Sequence, residues 1–150
     1  MTGTNHAITG GVIGLAIGGP MAIPIAFVTH FVLDAMPHLG YEDVEDRIKN
    51  RNLLLKVIAI DAIMGIIVIS FAVIKGVPWY VYASMIACMS PDFVWGYRFV
   101  FEDKFGKLKP GPLSGLNKFH SDIQTRESPD GIWVEIGWFI LMFILAVYLT

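Results

Sequence analysis

Seven ionisable side chains lie within or at the ends of otherwise apolar stretches of this 150-residue chain: His6, His30, Asp34, His38, Asp61, Asp92 and Glu135. With His120, which falls in a polar stretch, the set contains all four histidines. An ionisable group inside an apolar helix is costly to bury and usually has a function. In Thr29-His30-Phe31-Val32-Leu33-Asp34-Ala35-Met36-Pro37-His38, His30 and Asp34 are four residues apart. That spacing puts an imidazole and a carboxylate on one helix face. A neutral imidazole and an ionised carboxylate together satisfy a divalent cation such as Zn²⁺. His30 and Asp34 are therefore candidate metal ligands, joined by His6 and Asp92. His38 and His120 are further candidates, although Pro37 ends or bends the helix before His38. Asp61 and Glu135 are spare carboxylates, candidates for a general base.

Each residue also has a purely structural reading. A histidine in a membrane helix can serve as an interhelical hydrogen bond. Ser90-Pro91-Asp92 reads as a helix restart, with Ser90 as cap and Pro91 in the first turn. Glu135 fits the first turn of the last helix, where an acid complements the dipole. Cys88 and the methionines have no partners at ligand spacing and read as packing.

The elements that must position these groups are apolar and helical. The hydrophobic fraction is 55% and the charged fraction 16%, against about 25% charged in an average soluble domain. Four apolar blocks run from Ala7 to about His38, Leu53 to Ile74, Pro78 to Val100 and Ile132 to Leu149. The last three approach the ~20 residues of a bilayer span. The first block would be ~48 Å long as one helix, too long for a ~30 Å hydrocarbon core. Gly18-Gly19-Pro20 offers a turn within it. The expected fold is all-α: one transmembrane domain over residues 1–150, a bundle of four to five helices whose first two form a hairpin at Gly18-Gly19-Pro20. Gly10, Gly14 and Gly18 form a small-residue stripe suited to close helix packing. Polar loops are expected over about 40–52 and 101–131. Met1 to His6 carry no Lys or Arg, so the charged region of a signal peptide is not expected.

The hairpin puts the N-terminus and both polar loops on one side. That side collects Arg47, Lys49, Arg51, Lys56, Arg98, Lys104, Lys107, Lys109, Lys118 and Arg126, with Lys75 opposite. The positive-inside rule makes it cytoplasmic. Trp79, Tyr80 and Tyr82 fit an outer aromatic belt, and Trp95, Tyr97 and Trp133 an inner one. At 1.5 Å per residue, His30, Asp61 and Asp92 each lie ~12 Å inside the cytoplasmic ends of their helices. His6 comes to the same height across the hairpin, and Asp34 and Glu135 lie nearer ~6 Å. Five segments thus contribute polar groups to one layer near the inner face.

The segments Asn5-His6-Ala7-Ile8-Thr9-Gly10, Thr29 to His38, Ser90-Pro91-Asp92-Phe93 and Phe119-His120-Ser121 resemble small bacterial membrane proteins, the LexA-regulated inner-membrane metal-dependent hydrolases. That family is grouped with zinc-dependent phospholipase C and related single-strand nucleases, helical proteins with H-x-x-x-D metal motifs. The resemblance implies a hydrolase with His6, His30, Asp34 and Asp92 as ligands and His120 as a further one. The chain departs from the larger members in lacking a helix with H-x-x-x-E, and His120-Ser121 covers only part of their His-Ser segment. One or two metals are therefore expected rather than three.

The leading expectation is a membrane-embedded hydrolase with a divalent metal, zinc by preference, in the bacterial inner membrane with its N-terminus cytoplasmic. A phospholipid or another phosphoester at the headgroup level is the natural substrate, and the basic long loop would attract anionic headgroups. The alternatives are a proton or metal-ion transporter using the same buried groups, and a non-catalytic scaffold with a structural metal. The lipid membrane is an expected partner, and the small size leaves a homo-oligomer open. A net charge of −2 argues against nucleic acid as a partner, and one cysteine excludes an internal disulfide or a multi-cysteine zinc site.

Overall fold

The structure, a computed structural model, describes residues 1–40, 49–97 and 114–150. It is all-helical apart from one two-residue strand pair. The elements are α1 (Gly3–Ile17), α2 (Ala22–Asp34), β1 (His38–Leu39), α3 (Arg51–Lys75), α4 (Trp79–Tyr97), α5 (Ser114–Ile123), β2 (Glu127–Ser128), a 3-10 turn (Pro129–Gly131) and α6 (Ile132–Leu149). β1 and β2 are parallel, with His38 opposite Glu127 and Leu39 opposite Ser128.

The first apolar block folds back on itself as the sequence suggests. Gly18 closes α1 with φ 70°, and its N–H donates to Gly14 O at 3.0 Å. A residue with a Cβ is strained in that left-handed region, whereas glycine is not. The small-residue stripe therefore divides its work. A Cβ on Gly10 would lie 2.4 Å from Ser84 O, and one on Gly14 would lie 2.8 Å from Val81 Cα. These two glycines let α1 and α4 touch backbone to backbone, while Gly18 serves the turn and would meet nothing within 4 Å.

α1 is the hub of the bundle and packs on α4, α6, α2 and α3. It is buried continuously from Thr4 to Val12. Ala7, Ile8 and Val12 pack with Val68 and Ala72 of α3, Val81 and Met85 of α4, and Met142 of α6. The outer faces are apolar as well: Ile60, Ile63, Ile66, Ile67, Val73 and Ile74 of α3 and Ile140, Ile144 and Val147 of α6 are exposed. Contiguous exposed apolar surface of this kind marks an interaction with another apolar phase. Among the described residues, two helices are long and apolar enough to cross a membrane, Arg51–Lys75 and Pro129–Leu149. Only 17% and 11% of their apolar windows are buried within the protein, unlike the core helices of a soluble domain.

Two sequence readings are corrected. The stretch expected to be a loop over about 101–131 contains α5 and the β2 strand. Ser90-Pro91-Asp92 does not restart a helix, because α4 runs through Pro91. Proline has no N–H to offer the carbonyl four residues back. That carbonyl, Ala87 O, accepts instead from Ser90 Oγ at 2.9 Å. Lys104, Lys107, Lys109, Arg98 and Arg47 lie outside the described residues, as do the side chains of Trp95 and Tyr97.

Candidate metal centre

Four side chains from three helices converge on one point. His6 comes from α1, His30 and Asp34 from α2, and Asp92 from α4. One ligand atom from each lies within 4.8 Å of every other. His6, His30 and Asp34 are fully buried. His6 Nε2 lies 3.0 Å from Asp34 Oδ1 and 3.5 Å from Asp92 Oδ2. His30 Nε2 lies 3.2 Å from Asp34 Oδ2 and 3.8 Å from Asp92 Oδ1. The rings of His6 and His30 stack with centroids 4.1 Å apart.

α5 adds a third imidazole. His120 Nε2 lies 2.6 Å from Asp34 Oδ2, 3.0 Å from His30 Nε2 and 3.7 Å from Asp92 Oδ1. One turn on, Gln124 donates from Nε2 to Asp34 Oδ2 at 3.1 Å. The amino nitrogen of Met1 also lies against Asp34 Oδ1.

The tautomer of His30 follows from its outer partner. Its Nδ1 is 2.7 Å from Cys88 O, and a carbonyl can only accept, so Nδ1 carries the proton. In the neutral ring Nε2 then bears a lone pair, which points at another imidazole nitrogen and two carboxylates. Lone pairs facing lone pairs repel unless protons or a cation stand between them. A backbone carbonyl that fixes the outer nitrogen of a metal-binding histidine is the common second partner of such ligands. The spacing fits as well: donors held ~2.0–2.1 Å from a tetrahedral centre lie ~3.3–3.4 Å apart. The four histidine–aspartate separations, 3.0–3.8 Å, bracket that value, and every ligand atom lies within 4.8 Å of the others. Donor type, donor spacing and outer-nitrogen orientation all suit a divalent cation.

The other sequence candidates are placed elsewhere. Asp61 of α3 and Glu135 of α6 hold the N-terminus of α1. Asp61 accepts from Gly3 N and Thr4 N, both at 2.9 Å. Glu135 accepts from Thr2 N at 3.0 Å, from Thr2 Oγ1 at 2.8 Å and from Asn5 Nδ2. The first N–H groups of a helix have no intrahelical acceptor, and carboxylates there satisfy them and its dipole. Their oxygens are thus engaged in fixing the helix that carries His6. Glu135 lies in the first turn of α6, as its sequence position suggests, and its side chain reaches across to α1. His38 is not among the four clustered ligands; it faces Glu127, with Nε2 at 3.7 Å from Oε1. Cys88 packs in the core and supplies the carbonyl that orients His30, a role its side chain does not announce. Gln124 was not singled out by sequence; its i+4 relation to His120 is the signal that could have found it.

No protein-family model, curated protein or solved structure matches the chain.

Proposed function

We propose that the chain is a membrane-embedded, metal-dependent hydrolase acting on a phospholipid or another phosphoester near the inner surface of a bacterial cytoplasmic membrane. The observation that carries this reading is the convergence of His6, His30, Asp34 and Asp92 on one buried point, with the outer nitrogen of His30 already bound to a carbonyl. These residues would hold a divalent cation, zinc being the natural choice for two imidazoles and two carboxylates. A bound cation supplies Lewis acidity toward an ester oxygen. His120 and Gln124 hold Asp34 in place through its second oxygen. Asp61 and Glu135 fix α1, and with it His6.

On this reading α1, α2 and α4 complete the membrane bundle around α3 and α6, making five membrane helices. The N-terminus, β1 and β2 lie at the cytoplasmic side, where Lys49, Arg51 and Lys56 also fall. The resemblance of the motifs around His6, His30, Asp92 and His120 to LexA-regulated inner-membrane hydrolases supports the same activity.

A metal that only ties the helices is the second reading, favoured by the way Asp34 joins α1, α2 and α5. The two separate experimentally. Protein purified in detergent is expected to contain about one divalent cation per chain, by mass spectrometry, since affinity for a preformed site of this type is high. A chelator should abolish phosphoester hydrolysis, and re-addition of the metal should restore it. Metal without turnover supports the structural role. Metal-free wild type, or equal metal in wild type and a His30→Ala/Asp34→Ala double variant, contradicts both.

A further inference from the structure

Beside the candidate metal centre lies a cavity of ≈440 Å³, within the usual size range of small-molecule sites. Asp92, one of the clustered ligands, forms part of its wall. Leu54, Ile58 and Phe93 are among its apolar lining, and His38 and Glu127 among its polar lining.

His38 is held unusually well for a residue outside the cluster. Its backbone N–H donates to Arg126 O at 3.3 Å, just before β2. Gly131 packs so closely that a Cβ there would lie 2.1 Å from His38 C and O. The ring Nδ1 lies 2.8 Å from Met36 O, and since a carbonyl only accepts, Nδ1 carries the proton. Proton exchange is thereby left to Nε2. That nitrogen is buried and has no hydrogen-bond partner among the described residues. The carboxylate of Glu127, at 3.7 Å, provides an opposite charge for the ring when Nε2 is protonated. A buried nitrogen without a partner is costly in a finished core, and it is explained if a ligand in the cavity supplies the partner.

We propose that His38 Nε2 is the proton donor to the leaving group of a substrate that occupies this cavity, with Glu127 as its positioning residue. The inference rests on the hydrolase reading above and deepens it. In phosphoester hydrolysis, a water oxygen forms the new bond to phosphorus. The bond from phosphorus to the leaving oxygen breaks, and its electron pair goes to that oxygen. The proton on Nε2 moves to the same oxygen, and the proton given up by the attacking water restores the ring. The apolar wall of Leu54, Ile58 and Phe93 suits a leaving group that carries hydrocarbon, as a diacylglycerol does.

The test compares two probes with one headgroup, phosphatidylcholine in mixed micelles and p-nitrophenyl phosphorylcholine. The alkoxide leaving from the first needs a proton, whereas p-nitrophenolate leaves without one. His38→Gln is expected to lose about 10²–10⁴-fold on phosphatidylcholine, the usual worth of a positioned acid, and less than about tenfold on the nitrophenyl ester. Glu127→Gln should shift the ratio in the same direction, and metal content should stay at the wild-type level in both. The ratio is taken within each preparation, so partial unfolding cancels. Equal losses on the two probes, or loss of metal in His38→Gln, would overturn the donor role alone. Wild type that holds metal but hydrolyses neither probe would overturn the hydrolase reading and the donor with it.

Discussion

Asp34→Ala is expected to release the metal and to cost about 3–5 kcal/mol of stability, the range for removing one partner of a buried charged pair. Asp34 is fully buried, and His6 of α1, His30 of its own helix, His120 of α5 and Gln124 just after α5 all converge on it. Without it, three imidazoles, an amide and the Met1 amine lose a polar neighbour in a buried region. Unsatisfied buried polar groups carry a penalty beyond the lost bond. Asp34→Asn separates charge from shape: it keeps an acceptor oxygen but removes the negative charge a dication needs. It should lose metal to the same extent while retaining more thermal stability than Asp34→Ala. Metal per chain and the unfolding midpoint, measured on the same detergent preparations, check both parts. Wild-type metal content in Asp34→Ala would contradict the ligand assignment.

The second large effect is expected at a residue that carries no ionisable group. Gly10→Ala places a methyl 2.4 Å from Ser84 O and 2.9 Å from Met85 Cα. Those atoms belong to the α4 backbone and cannot swing aside as a flexible side chain would. α1 and α4 must separate, and overpacking of this kind costs about 1–3 kcal/mol or more. His6 lies one turn before Gly10, and α4 carries both Asp92 and the carbonyl of Cys88. The variant should therefore lower metal affinity as well as stability, although residue 10 carries no ligating group. Gly19→Ala is the matched control, because a Cβ there meets nothing within 4 Å, and it should leave metal binding and the unfolding midpoint near wild type. Equal behaviour of the two variants in metal titration would contradict the close contact of α1 with α4.

Parts of this arrangement are written locally in the chain. Gly18-Gly19-Pro20 marks the hairpin because glycine tolerates the left-handed turn and an apolar block of that length cannot stay one helix inside a bilayer. His6, His30, Asp34 and Asp92 stand out because titratable groups are expensive among apolar neighbours. Other parts depend on contacts between distant segments. Asp61 and Glu135 look like spare bases in sequence, since nothing local reveals that the open end of α1 lies against them. Thr2, Thr4 and Asn5, a polar start to an apolar helix, are the trace they leave. α5 was hidden by its polar composition and its Pro-rich neighbours. Its period is nonetheless visible in Leu116, Phe119, His120 and Ile123, spaced three, four and seven apart. The Ser90 hydroxyl that lets α4 pass through Pro91 reads equally well as a cap, because both roles use the same residue type.

Anomalous diffraction from crystals of the wild-type protein, recorded on either side of the absorption edge of the metal found in the preparation, tests the shared cation most directly. The expected result is an anomalous peak enclosed by His6 Nε2, His30 Nε2 and the carboxylates of Asp34 and Asp92. The contradicting result is no anomalous density among these four side chains, with the metal bound elsewhere or the imidazoles and carboxylates joined by protons alone.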